Sequence, residues 1–139
     1  MTLFIKLIVV SVVILAVSAQ ATDHIWIDNS FIDISTGLSW QDDEKAITVK
    51  KDWQGAKDYC ENLTLSRKRI WRLPTSDELL SLLAKKQYLR NMILENYWSS
   101  SSFDNESNFA RIVHFHLGGF ASTKDNELYV RCVRNSNLW

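Results

Sequence analysis

The chain has 139 residues, with sixteen basic and sixteen acidic side chains, so its formal net charge at pH 7 is zero. That length suits one domain, and that balance excludes a generally basic nucleic-acid binder. Six Trp beside one Pro and four Gly exclude a disordered or collagen-like chain.

Residues 1–21 read as a secretory leader. Lys6 supplies the positive start, and Leu7 to Val17 is an almost unbroken apolar run, shorter than the roughly 20 residues of a membrane span. Ala19-Gln20-Ala21 offers small residues where a signal peptidase reads, which places cleavage after Ala21 and the domain at 22–139. An uncleaved N-terminal anchor is the alternative. No Cys follows the apolar run, which excludes a lipoprotein anchor, and no stretch of 22–139 approaches a second span. The expected location is therefore outside the cytoplasm, periplasmic or extracellular.

The first elements predicted are a β-hairpin. Phe31 to Ile34 and Leu38 to Gln41 alternate around Ser35-Thr36-Gly37, with Gly37 free to take positive φ. Asp42 to Lys51 is polar and predicts a loop. Asp52 caps a helix starting at Trp53, with Trp53, Ala56, Cys60 and Leu63 on one face. Arg67-Lys68-Arg69 forms a basic loop. Thr75 and Glu78 make a T-x-x-E capping box, and Leu79, Leu80, Leu82 and Leu83 follow as the buried side of a second helix. Residues 85–96 read as an irregular continuation.

From Tyr97 the period changes to two. Tyr97 to Ser100 begins a strand, and Ser99 to Asn108, rich in Ser, Asn and acids, reads as an exposed loop. Phe109 to His116 alternates, Gly118-Gly119 turns the chain, and Phe120 to Thr123 returns. Lys124 to Glu127 is a turn before a last strand, Leu128 to Arg134. Hairpin, two helices and antiparallel strands define an α+β domain. Cys60 and Cys132 are its two cysteines. In an exported chain they point to one disulfide, with two buried free thiols as the alternative.

Five segments in order resemble one family. Asp33 to Trp40 fits D-x-x-T-G-L-x-W, and Trp53, Ala56, Tyr59, Cys60 and Leu63 fit W-x-x-A-x-x-Y-C-x-x-L. Trp71 to Leu79 fits W-R-L-P-T-x-x-E-L, Tyr97 to Ser100 fits Y-W-S-S, and Tyr129 to Arg134 fits Y-V-R-C-V-R. These resemble the Lcl C-terminal domain family, named for a bacterial collagen-like adhesin, over roughly residues 28–135. The resemblance implies a C-type-lectin-like fold in which a disulfide ties the first helix to the last strand, the places of Cys60 and Cys132. Ile70 departs from it, standing where a small or acidic residue is common.

The motifs offer little catalytic chemistry. Trp40, Trp53, Trp71 and Trp98 read as core. The calcium loops of sugar-binding lectins are missing, and Asp104, Glu106 and Asp125 read as solvated acids. His114 and His116 lack a third zinc ligand, and Ser99 to Ser102 lacks a nucleophile's surroundings. No metal, cofactor or catalytic residue is expected.

Charge is uneven. Residues 22–61 hold nine acids and four bases, whereas 67–90 hold seven bases and two acids. Arg67, Lys68, Arg69, Lys85, Lys86 and Arg90 are thus candidates for an anionic ligand. The adhesin that names the family is associated with glycosaminoglycan binding, while this chain has no collagen-like stalk. The expected function is a non-enzymatic exported binding module for an envelope or host-surface glycan or protein. The alternative is a structural or assembly subunit of a cell-envelope complex. No nucleic acid is expected as partner, and nothing in the sequence sets an oligomeric state.

Overall fold

The computed structural model describes residues 21–136, so the predicted leader, apart from Ala21, lies outside the described residues. The N-terminal strands are β1 (His24–Ile27), β2 (Ser30–Asp33) and β3 (Leu38–Gln41). β2 and β3 are the predicted hairpin, with Gly37 at φ +69° in its turn. β1 was not predicted. It pairs antiparallel with β2 through a two-residue turn, Asp28-Asn29.

The polar stretch 42–51 is more ordered than its composition implied. A 3₁₀ turn spans Glu44–Ile47 and the short strand β4 spans Lys50–Lys51. The first helix, α1 (Trp53–Glu61), starts as predicted, with the Asp52 carboxylate accepting the Gly55 N–H at 2.7 Å. The second, α2 (Ser76–Leu83), starts at a complete capping box between Thr75 and Glu78. Leu79 and Leu82 are buried on α2, but Leu80 is 40% exposed, because it falls outside the stripe that meets the sheets. Residues 86–88 form a single 3₁₀ turn.

The predicted loop over Ser99–Asn108 is a hairpin. β5 (Asn96–Phe103) and β6 (Glu106–His114) pair through a tight turn at Asp104-Asn105, with irregular register between Trp98 and Phe103. Serines dominate because a bulged strand lets their hydroxyls serve the backbone: the buried Ser99 hydroxyl donates to Arg111 O at 2.6 Å. β7 (Gly118–Thr123) returns beside β6, and the turn itself falls at residues 115–117.

The predicted final strand is broken in two. β8 (Leu128–Tyr129) lies in a five-stranded sheet of order β4-β8-β5-β6-β7, beside β5 in parallel. β9 (Val133–Asn135) completes a four-stranded sheet of order β1-β2-β3-β9. Residues 130–132 are the crossing between the two sheets, and Cys132 within it is bonded to Cys60 of α1, with Cα atoms 5.5 Å apart. Among the described residues no helix is long and apolar enough to cross a membrane.

Two cores result. One gathers Ala56 and Cys60 of α1 with Trp71, Trp98, Ile112, Val130 and Cys132. The other gathers Leu79 and Leu82 of α2 with Phe31, Trp40, Tyr97, Phe115 and Val133. Trp40, Trp71 and Trp98 are buried, as their reading as core requires, and Trp53 packs partly buried at the margin.

Candidate functional site: a basic cleft beside the interhelix loop

The four-stranded sheet has two distinct faces. Side chains alternate along each strand, so Phe31, Asp33, Trp40 and Val133 point to one side. Ser30, Ile32, Ser39 and Arg134 point to the other, where Ile32, Ser39 and Arg134 form one cross-strand row. The loop between α1 and α2 folds over this second face and leaves a cleft of about 310 Å³.

The loop is held there by specific bonds. The Ser66 and Ser30 hydroxyls meet at 3.0 Å, and Ser66 Oγ also accepts the Asn29 N–H at 3.2 Å. Leu65 and Lys68 form a miniature bridge, and the buried Trp71 donates its indole N–H to Lys68 O at 3.0 Å. Arg134 donates from Nε to Arg69 O at 3.2 Å, with its guanidinium 5.9 Å from the Trp71 ring centre. Three loop residues take left-handed backbone angles: Ser66 at φ 54°, Arg67 at 59° and Ile70 at 65°. For β-branched Ile70 this is a strained conformation, and its side chain is 86% exposed.

The cleft's chemistry follows from its lining. Lys68 and Arg134 contribute two cations, neither in an ion pair among the described residues. Ser30, Ser39, Ser66 and Ser136 contribute hydroxyls, Trp71 an aromatic wall, and no carboxylate lines it. Such a surface attracts anionic oxygens, for which guanidinium and hydroxyl groups are ready donors. Arg134 was missed in the sequence. In the sequence it stands only as the last residue of Y-V-R-C-V-R, and its pairing with Ser39 in the strand register turns it to the loop side.

The six bases singled out in the sequence do not form one surface. Arg67, Lys68 and Arg69 lie in the loop over the serine-bearing face. Lys85, Lys86 and Arg90 lie on the Phe31 and Asp33 face of the same sheet. Lys85 donates to Asp33 at 2.8 Å and Asp23 at 3.0 Å, so its charge is neutralised inside the fold. Burial alone raises the Asp33 carboxyl, but the bonds from Lys85, Ser35 and Thr36 outweigh it and hold Asp33 below the ordinary range. Asp23, bonded to His24 and Lys85, is lowered to about 2. Lys86 donates to Phe115 O at 3.0 Å, and Arg90 stacks 5.0 Å from the Trp26 ring. Arg72 of the same segment is committed to Glu78, at 2.6 and 2.8 Å.

The remaining candidates are placed as follows. The His114 ring accepts N–H groups from His116 and Leu117 at 3.1 Å each, so it braces a turn while His116 faces solvent. Asp104 pairs loosely with Arg111 at 3.6 Å. Among the described residues no three His, Cys, Asp or Glu side chains gather as a metal site.

A disulfide-closed α+β domain of two small sheets and two helices, with a cation-lined cleft between loop and sheet, is the class these observations define. The chain belongs to the Lcl C-terminal domain family, whose sequence model matches residues 29–134. A comparison with curated proteins gave no match.

Proposed function

We propose that the chain is an exported, non-enzymatic binding module that holds an anionic surface glycan through the cleft beside residues 66–70. The single observation that carries this reading is the pairing of Lys68 and Arg134, both without a carboxylate partner among the described residues, in a cleft lined by serine hydroxyls. The basic Arg67 and Arg69 extend that field outward along the loop. The strained backbone at Ile70 supports the reading too, since such conformations gather at ligand-contact sites.

The fold itself is best described as C-type-lectin-like. Support comes from the bond between the first helix and the C-terminal crossing, and from N- and C-terminal strands sharing one sheet. Export is supported by the leader pattern at 1–21 and by the disulfide, which suits an oxidising compartment. A structural or assembly role in the envelope is the second reading, favoured by the exposed Leu117 and Phe120.

Heparin chromatography tests the glycan reading. Replacing Arg67, Lys68 and Arg69 together by Ser should leave the melting temperature within a few degrees and markedly lower the salt needed for elution. Arg134→Ser should add to the loss, whereas Lys86→Ser and Arg90→Ser should leave retention unchanged, because they lie on the opposite face. A folded triple variant that elutes at the wild-type salt concentration would overturn the reading and leave the assembly role in front.

A further inference from the structure

β7 is the outer strand of the five-stranded sheet. The Lys124 N–H donates to Asn108 O at 2.8 Å, and this sets the phase of the ladder with β6. Lys124, Ser122, Phe120 and Gly118 turn their backbone groups inward, and Gly119, Ala121 and Thr123 turn theirs outward. The outward N–H and C=O of Gly119 and Ala121 have no hydrogen-bond partner among the described residues. The outward carbonyl of Thr123 is already engaged by the Ser122 hydroxyl and the Asn126 N–H.

Sheet edges are ordinarily closed by a charge, a proline or brevity. Gly118 to Thr123 has neither charge nor proline and runs for six residues. The other edges are protected: Asp23 and Asp28 flank β1, while β4 and β9 have two and three residues. Beside the open edge Phe120 is 51% exposed and Leu117 is 65% exposed.

We propose that β7 pairs antiparallel with β7 of a second copy of this chain, about a two-fold axis at Phe120. In that register Gly119 faces Ala121 of the second copy, and Ala121 faces its Gly119. The unpartnered groups then satisfy one another in four backbone hydrogen bonds, with the engaged Thr123 left outside. Phe120 meets its own counterpart as a non-hydrogen-bonded pair, where Cα atoms approach to about 4.5 Å. The edge is its own complement in the spacing of its unpartnered groups and in apolar surface, and it carries no charge to repel a second copy, which is why a second copy fits it. Such an interface is isologous and closes on itself as a dimer instead of growing into fibres. It is independent of the basic cleft, which belongs to the other sheet.

Cysteine cross-linking tests the register. Phe120→Cys should form an intermolecular disulfide under mild oxidation, because its Cα separation across the axis lies within bonding range. Thr123→Cys, six strand positions from its own counterpart, should form no intermolecular disulfide. Light scattering of the wild type should show a mass rising towards twice that of the chain as concentration increases. Ala121→Pro should abolish that rise while keeping the β6 ladder, since its N–H points outward. A wild type that remains monomeric at millimolar concentration would overturn the proposal. So would equal cross-linking of the two cysteine variants, or a dimer that survives Ala121→Pro. If Ala121→Pro fails to fold, the cysteine pair decides alone.

Discussion

Asp42 and Arg131 form a buried ion pair, with Asp42 Oδ1 3.4 Å from Arg131 Nη1. The carboxylate also accepts the backbone N–H groups of Arg90 and Asn91 at 2.9 Å each. Arg131 donates to Gln41 O at 2.6 Å and to Asn91 O, with the Tyr97 and Phe115 rings beside it. The pair joins β3, the 89–91 segment and the crossing between the sheets. Breaking such a pair from one side leaves an uncompensated charge, at a cost of about 3–5 kcal/mol. Arg131→Met and Asp42→Asn should each lower stability by that order in denaturant titration. The double variant should lose clearly less than the sum of the two.

The Cys60–Cys132 bond closes a separation of 72 residues. In the chain-entropy account, a loop of that size contributes roughly 4 kcal/mol by restricting the unfolded chain. A Cys60→Ala/Cys132→Ala variant should melt more than about 10 °C below the wild type, given the usual size scaling. Equal melting temperatures would show that the helix is held to the crossing by packing alone.

Acid should loosen the N-terminal strand. The folded values of Asp23 and Asp33 are both depressed, Asp23 to about 2. Depressed carboxyls contribute stability that is present above their unfolded value near 3.8 and is lost as pH falls through the folded value. The Lys85 contacts should therefore weaken between about pH 4 and pH 2. Comparing the wild type with Lys85→Met across that range gives the check. The difference in melting temperature should be greatest near neutrality and vanish at the acid end.

Ile70 carries a left-handed backbone angle with an exposed, branched side chain. Asn tolerates that conformation much better, and the left-handed region costs ordinary residues about 1–2 kcal/mol. Ile70→Asn should therefore raise stability by about 1 kcal/mol. If the strained loop serves the cleft, heparin retention should change in the same variant although no charge has moved.

Local signals in the sequence were legible where one residue's chemistry sufficed. Asp52 and Thr75 announced both helix starts, and Gly37 marked the hairpin turn. The serine-rich strand β5 was not legible, because its hydroxyls mimic a loop in composition while bonding to a bulged ladder. The site was half legible for a related reason. Arg67 to Arg69 stand out as a run, but which bases share a face depends on strand register across β2, β3 and β9. Register also hid Arg134, and long-range pairing consumed Lys85, whose carboxylate partners lie 52 and 62 residues away.

Because β9 is laid against β3 and the bond to α1 is made from Cys132, the first sheet waits for the last few residues of the chain. A polypeptide emerging from its N-terminus, whether from a ribosome or through a membrane pore, cannot finish one half before the other. Neither sheet is complete until its late strand, β8 in one and β9 in the other, has emerged. A chain cut short at residue 127 should keep its hairpins and helices as candidates for structure, yet leave Trp40, Cys60 and the loop that shapes the cleft without their closing layer.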